Sequence, residues 1–402
     1  MNPATRGPTL TLLMGLVAAV TACHRDAPTG TGTPADGSLF GSPFAFGTSL
    51  GSLSVDERRL FDRGTVVFNT VFTPAQGIGP LFNSSSCAEC HEDPAPGGIG
   101  DEVETHASAF QGGICNDLGS VGGPVVQDSV TPLLHDALHI DVEPPLNGAT
   151  GVGHRTTPQV LGMGLLDAVP EAEILFRADP NDADHDGISG RPNRTAAGRV
   201  GRFGRKAQVA TLREFVAGAF LNEMGLTSPL EPKETTVGGQ PLPAGVDPAA
   251  DPELSQADLD AAVAFMQLLA PIRPAFRLVD AAGRFLFAKI GCSSCHTPAL
   301  VTGDSPSRAL RHQVVFAFTD LLLHDMGPDL ADICLGQAAP AEFRTEPLMG
   351  LRFKETFLHD GRAPSVAEAV GMHGGEATAA RDRFLALPER TRALLVRFLE
   401  TL

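Results

Sequence analysis

The sequence predicts a mainly α-helical chain of two similar domains with long loops, related by internal duplication. Three observations predict this. The string C-x-x-C-H occurs twice, at Cys87 to His91 and at Cys292 to His296. Each copy follows a segment of helical periodicity containing G-x-x-x-F, Gly64 with Phe68 and Gly283 with Phe287. Each half closes on an amphipathic segment, and strand-like alternation is sparse. With 402 residues, 43% hydrophobic and 19% charged, the chain can build two real cores.

The chain opens with Arg6, an apolar run from Leu10 to Val20, and then Thr21-Ala22-Cys23. The run is too short to span a bilayer and has the layout of an export signal. Its ending resembles a bacterial lipobox. Residues 1–22 are therefore expected to be a signal peptide, with lipid on Cys23. Residues 23–50, rich in Gly, Pro, Thr and Ser, read as a flexible tether.

The N-terminal domain is expected over 51–275. Ser54 and Glu57 form a capping-box pattern, and Leu60, Phe61, Gly64, Val67, Phe68 and Val71 follow at helical spacing. A small residue beside a large one suits the close crossing of a second helix. "SQADLDAAVAFMQLLAP" carries Leu259, Ala262, Val263, Met266 and Leu269 on one face, and Pro271 stops it. A Pro-rich insertion runs from about Ser228 to Pro252.

The C-terminal domain, 276–402, repeats the plan. Asp280 opens "DAAGRFLFAKIG", and "PERTRALLVRFLETL" carries Leu394, Leu395, Phe398, Leu399 and Leu402. A third pair of similar strings is Arg155-Thr-Thr-Pro158 and Arg344-Thr-Glu-Pro347.

C-x-x-C-H is the attachment signature of c-type heme. Two thiols must reach the two vinyl groups of one porphyrin edge, and the next residue must place an imidazole under the iron. A four-cysteine zinc site would not need His after both pairs, and a thioredoxin-like redox pair is not followed by His. Two covalently bound c-type hemes are therefore expected, on Cys87 with Cys90 and on Cys292 with Cys295. His91 and His296 become the proximal ligands, and each domain is expected to be cytochrome c-like.

Of seven cysteines, Cys115 and Cys334 remain, and an oxidising compartment makes a disulfide between them the expectation. The formal charge of −17 argues against nucleic acid and suits a basic protein partner. Trp and Tyr are absent, so neither can relay a radical.

With "DADHDGISGRPN", "LREFVAGAFLNEMG", "LLLHDMGPDLAD" and "FLHDGRAPSVAEAVGMHGGEA", these strings resemble the bacterial di-heme cytochrome c peroxidase superfamily. More closely they resemble its subgroup of di-heme oxidoreductases, also called thiol oxidoreductases, over nearly all of the chain after the tether. The resemblance implies a peroxidase-like oxidoreductase with a reactive N-terminal heme and an electron-transfer C-terminal heme. It implies hydrogen peroxide or another small oxidant as substrate and a redox protein, such as a basic cytochrome, as electron donor. The place is the periplasm or cell envelope, with membrane contact through the lipid alone.

In the peroxidases, a Met fourteen residues after the His of "HDG" completes the second heme. Counting from His359, that position is His373. Bis-His ligation by His296 and His373 is therefore expected, which lowers the potential. Met326 and His324 are rivals, and His359 is expected to brace the loop.

In the same family a helix brings a glutamate over the first heme, and Glu223 takes that position as the catalytic distal acid. Phe215 replaces a polar glutamine, and Arg205 falls where an inter-heme tryptophan is usual. Asp167 and Glu171 are lesser candidates for the acid. His106, fifteen residues after His91, is a candidate resting-state cap.

Asp182, Asp184 and Asp186 sit at alternate positions before Gly187, as in an EF-hand loop, and Ile188 would add a carbonyl. Calcium is the expected ion, although Asn193 replaces the usual bidentate Glu. His135 and His139 read as exposed helix residues. Two other functions stay open: a non-enzymatic electron-transfer cytochrome with both irons six-coordinate, and an oxygenase like the rubber-cleaving enzymes, which share an HGGEA-like tail.

Overall fold

In the computed structural model, which describes residues 46–402, the first helix starts at its capping box. Ser54 accepts from the Glu57 amide, and Glu57 accepts from the Ser54 amide. The signal peptide, Cys23 and most of the tether lie outside the described residues.

Eleven α-helices follow among the described residues. They are α1 (Val55–Phe68), α2 (Cys87–Cys90), α3 (Pro132–Leu138), α4 (Met163–Asp167), α5 (Glu171–Leu175), α6 (Leu212–Met224), α7 (Gln256–Leu268), α8 (Ala281–Lys289), α9 (Val366–Met372), α10 (Thr378–Leu385) and α11 (Glu389–Leu399). The strands are β1 (Leu81–Phe82), β2 (Val103–Gln111), β3 (Ile114–Asn116), β4 (Val125–Val126), β5 (Ser129–Val130), β6 (Gly151–Thr156), β7 (Leu300–Val301), β8 (Val314–Val315), β9 (Leu323–Asp325) and β10 (Glu342–Arg344).

The expectation of a mainly α fold is corrected. The described residues are 32% helical and 14% strand, and the strands form one four-stranded sheet and three two-stranded pairs. In that sheet β2 pairs antiparallel with β3, β4 and β6. The sheet escapes sequence reading because β2, "VETHASAFQ", is half-exposed through most of its length. Its buried stretch, Ala107 and Ser108, is small, so no apolar alternation marks it.

The two glycine positions do what their spacing implies. α1 crosses α7 at Gly64, where a Cβ would lie 2.7 Å from Phe265 Cβ and closer still to the Ala261 carbonyl oxygen. α8 crosses α11 at Gly283, where a Cβ would lie 2.5 Å from Phe398 Cβ and closer to the Leu394 carbonyl oxygen. The same crossing thus recurs in both halves.

α7 buries Leu259, Ala262, Val263 and Met266 in the main core with Phe61, Phe68 and Phe220. Leu300, Leu310, Val315 and Leu322 join that core from beyond residue 275. A second core gathers Leu286, Phe287, Phe318, Leu395, Phe398 and Leu402. Cys115, on β3, forms a disulfide with the buried Cys334 across a sequence separation of 219.

Candidate heme-binding sites

Ser86 caps α2, its side chain accepting from the Glu89 amide at 3.1 Å. Glu89 in turn accepts from Ser84 and Ser85. This short turn carries Cys87 and Cys90 into His91. His91 Nδ1 lies 3.3 Å from the Gly98 carbonyl, which suits that nitrogen as the donor and Nε2 as the atom that could take a metal. Burial lowers the pKa of the ring, favouring the neutral form that a metal needs.

The second turn is a 3-10 helix, Cys292–Ser294. His296 Nδ1 lies 3.0 Å from the Phe318 carbonyl. Burial first, and then His373, depress its pKa to about 4. Phe68 and Phe287, from the two G-x-x-x-F strings, pack at 6.3 and 6.5 Å from the rings of His91 and His296.

The residues fit covalent heme on three counts. Cys87, Cys90, Cys292 and Cys295 are not disulfide-bonded, although the same chain holds a disulfide elsewhere. Burial pushes the thiols of Cys87, Cys90 and Cys292 up to about 12. That is the reverse of a thioredoxin-type nucleophile, whose thiolate is stabilised. Finally, Cys292, Cys295 and His296 line a cavity of about 240 Å³ together with Phe287, Leu330 and His373.

His373 follows α9, and its Nδ1 lies 2.7 Å from the Ala369 carbonyl, so its Nε2 is free of described partners. Of its rivals, His324 is fully engaged. Its Nε2 meets Asp320 at 2.9 Å and its Nδ1 meets Glu376 at 2.8 Å. Burial would lower its pKa, but these acids raise it well above the ordinary value. Met326 lines the cavity as well. His359 stacks on Phe343 at 4.4 Å, and its carbonyl accepts from the Thr156 amide, bracing the loop against β6.

Glu223 lies near the end of α6, beside Met224, whose sulfur is 3.9 Å from Cys87 Sγ. Its Oε2 accepts from Asn83 Nδ2 at 2.7 Å, and its carbonyl accepts from the amides of Asn83 and Ser84. Burial, and then the charge of Glu104, raise its pKa well above the carboxylate range.

Glu104, on β2, was not legible in the sequence. It is 3.1 Å from His106 Nε2. Burial would raise its pKa, but His106, His91 and Arg205 outweigh burial and lower it. The environments of two neighbouring acids are thus pushed apart, Glu223 towards holding a proton and Glu104 towards charge. The signal available was the i, i+2 spacing of Glu104 and His106, which shares a face only once a strand is assumed. His106 spends Nε2 on Glu104, and its Nδ1 is buried without a partner.

Arg205 joins the two sites. It meets Glu346 at 2.8 Å, donates to the Thr156 carbonyl, lines the C-terminal cavity and acts on Glu104. The two strings that begin Arg-Thr place buried arginines nearby: Arg155 pairs with Asp332, and Arg344 with Glu346.

The lesser candidates are structural. Asp167 accepts from the Leu212 amide at the start of α6 and from Gln267. Glu171 accepts from the Val200 amide. Phe215 packs against Phe203. His135 and His139 are exposed, and His135 pairs with Asp136 and Asp141.

In the acidic loop, Asp182 and Asp184 gather with Asp179 within 4.8 Å. Asp186 instead accepts from the Ile188 amide, and Asn193 turns away to the Lys206 and Leu335 carbonyls.

The family model described as "Di-haem oxidoreductase, putative peroxidase" matches residues 146–402. Among solved structures, hydrazine synthase of Kuenenia stuttgartiensis aligns at 15% identity over 97% of this chain and 100% of that one, with a TM-score of 0.40. The diheme peroxidase BthA of Burkholderia thailandensis aligns at 19% identity over 86% of each chain, with a TM-score of 0.40. A MauG-like protein associated with microbial copper homeostasis aligns at 14% identity over 59% of this chain and 90% of that one, with a TM-score of 0.30. No curated protein matches the chain.

Proposed function

The chain belongs to the di-haem oxidoreductase family, and from that premise we propose a peroxidase-like enzyme of the bacterial envelope with two unequal hemes. Cys87 and Cys90 would hold the first heme covalently, with His91 as its ligand. Cys292 and Cys295 would hold the second, with His296 and His373 as its ligands. When bound, the hemes supply iron that takes up a small oxidant such as hydrogen peroxide and passes electrons singly.

The observation that carries this reading is an unequal endowment. In one cavity two of the imidazoles, His296 and His373, have Nδ1 fixed on a backbone carbonyl. The other site has one fixed imidazole and a buried carboxyl, Glu223, whose pKa is raised first by burial and then by Glu104.

The chain's own residues then have separate tasks. Asn83 fixes Glu223 through Oε2, leaving Oε1 without a bond to a described residue. Oε1 would carry the proton and deliver it to the departing oxygen of the oxidant. Burial, and then the negative charge of Glu104, favour the protonated form of Glu223, and the bond from His106 favours the charged form of Glu104. Phe68 and Met224 exclude water beside Cys87 and His91. Arg205 lies between the sites and steadies the charge of both acids that it faces.

The export signal and Cys23 would place the enzyme in the periplasm on a lipid anchor. The charge of −17 would favour a basic electron-donor protein. Calcium in the 182–188 loop would be held by Asp182 and Asp184 with Asp179.

Peroxide-dependent oxidation of a reduced dye tests the reading. The Glu223 proton is present below its raised pKa and lost as pH rises through it. Wild-type turnover should therefore fall on the alkaline side. Glu223→Gln, which cannot pass a proton, should lower the rate by roughly 10²–10⁴-fold. An unchanged rate would remove Glu223 from the mechanism.

A further inference from the structure

We propose that Glu234, Asp247, Asp251 and Glu253, in and beside the Pro-rich insertion, form a calcium site separate from the 182–188 loop. One oxygen from each of the four lies within 4.8 Å of the others. Among the described residues, no Lys, Arg or His pairs with any of them.

A second observation points to a missing cation rather than to a solvated acidic turn. Both oxygens of Glu234 are sealed from solvent, with less than 1 Å² exposed on either, and neither accepts a hydrogen bond. Glu253 Oε1 is sealed and unpartnered in the same way. A carboxylate stripped of water and given no donor is among the costliest groups to bury, and a bound cation removes that cost.

The donor set selects the ion. All four ligands are hard carboxylates, which suit calcium or magnesium and not zinc or copper. They come from irregular chain at 234, 247, 251 and 253. Such loops tolerate the irregular shell of calcium better than the strict octahedron of magnesium. Asp251 is exposed and gives the ion a way in.

The position gives the ion a task. Glu253 Oε2 accepts from the Thr227 amide at 2.9 Å and its hydroxyl at 2.6 Å. Thr227 lies just after α6, which carries Glu223, and Glu253 lies just before α7. Glu253 also packs on Gly77, where a Cβ would lie 2.7 Å from its own. An ion here would tie the insertion to the end of α6 and to the loop leading to Cys87.

Chelator-stripped holoprotein, titrated with calcium chloride by calorimetry and followed by thermal unfolding, tests this. Wild type should bind calcium with a dissociation constant between about 10⁻⁶ and 10⁻³ M, and its melting temperature should rise with calcium. Glu234→Gln should bind about one ion fewer, while Asp184→Asn, in the other loop, keeps that ion. Without calcium, Glu234→Gln should melt no lower than wild type, because it removes a buried carboxyl that no donor satisfies. If that variant does not fold, Asp251→Asn at the exposed ligand gives the same reading. Equal calcium uptake by Glu234→Gln and wild type, or no uptake by wild type, would overturn the site. An equal response to magnesium would overturn the choice of calcium.

Discussion

His373 is one of the places where this chain parts from the peroxidase pattern, and as the proposed ligand it would set the electronic character of the second site. An imidazole held by the Ala369 carbonyl at 2.7 Å is a stronger donor than a thioether and favours the oxidised iron. His373→Met should therefore raise the reduction potential of the C-terminal heme by on the order of 0.1 V, read by spectroelectrochemistry. An unchanged potential would place the ligand elsewhere, with Met326 next in line. A count of residues after His359 led to His373, which lines the same cavity as His296. Glu104 was not legible in the sequence, because its partner Glu223 is over a hundred residues away and only tertiary packing brings the two acids together.

At the scale of elements, the helical crossings lead into both C-x-x-C-H turns. Gly64 and Gly283 let α7 and α11 approach so closely that a methyl would overlap a carbonyl oxygen. Because those obstacles are backbone, the helices must part to admit a side chain. Gly283→Ala should cost about 1–3 kcal/mol, measured by denaturant unfolding, and should loosen Phe287 against His296. A cost within error of zero would show that the crossing is slack. α1, α7, α8 and α11 were legible because helical periodicity marks each one locally, with a capping box at α1 and Pro271 after α7. The sheet around β2 was not. Its strands are short, half-exposed and non-consecutive in pairing, so nothing local distinguishes them from loop. The mainly α expectation failed there, in the stretch between the first heme turn and α4.

Across the molecule, the two halves are held as one by unlike means. The larger core accepts residues from both sides of position 275. The disulfide closes a span of 219 residues, a length for which loop-closure entropy is large. A buried charge network joins them too: Lys206 meets Asp332 at 3.0 Å and sits 3.4 Å over the Phe343 ring. Arg205 extends that joint from one heme site to the other. Such a frame holds both sites at a fixed separation, as the proposed electron transfer between them requires.

The inequality of the two sites is the central claim, and cyanide titration of the resting oxidised protein measures it most directly. If His296 and His373 occupy both faces of one iron while His91 alone serves the other, about one cyanide should bind per chain, with a matching loss of high-spin signal. Two irons that both refuse cyanide would show protein ligands on every axial position, and the chain would then be an electron carrier rather than an enzyme.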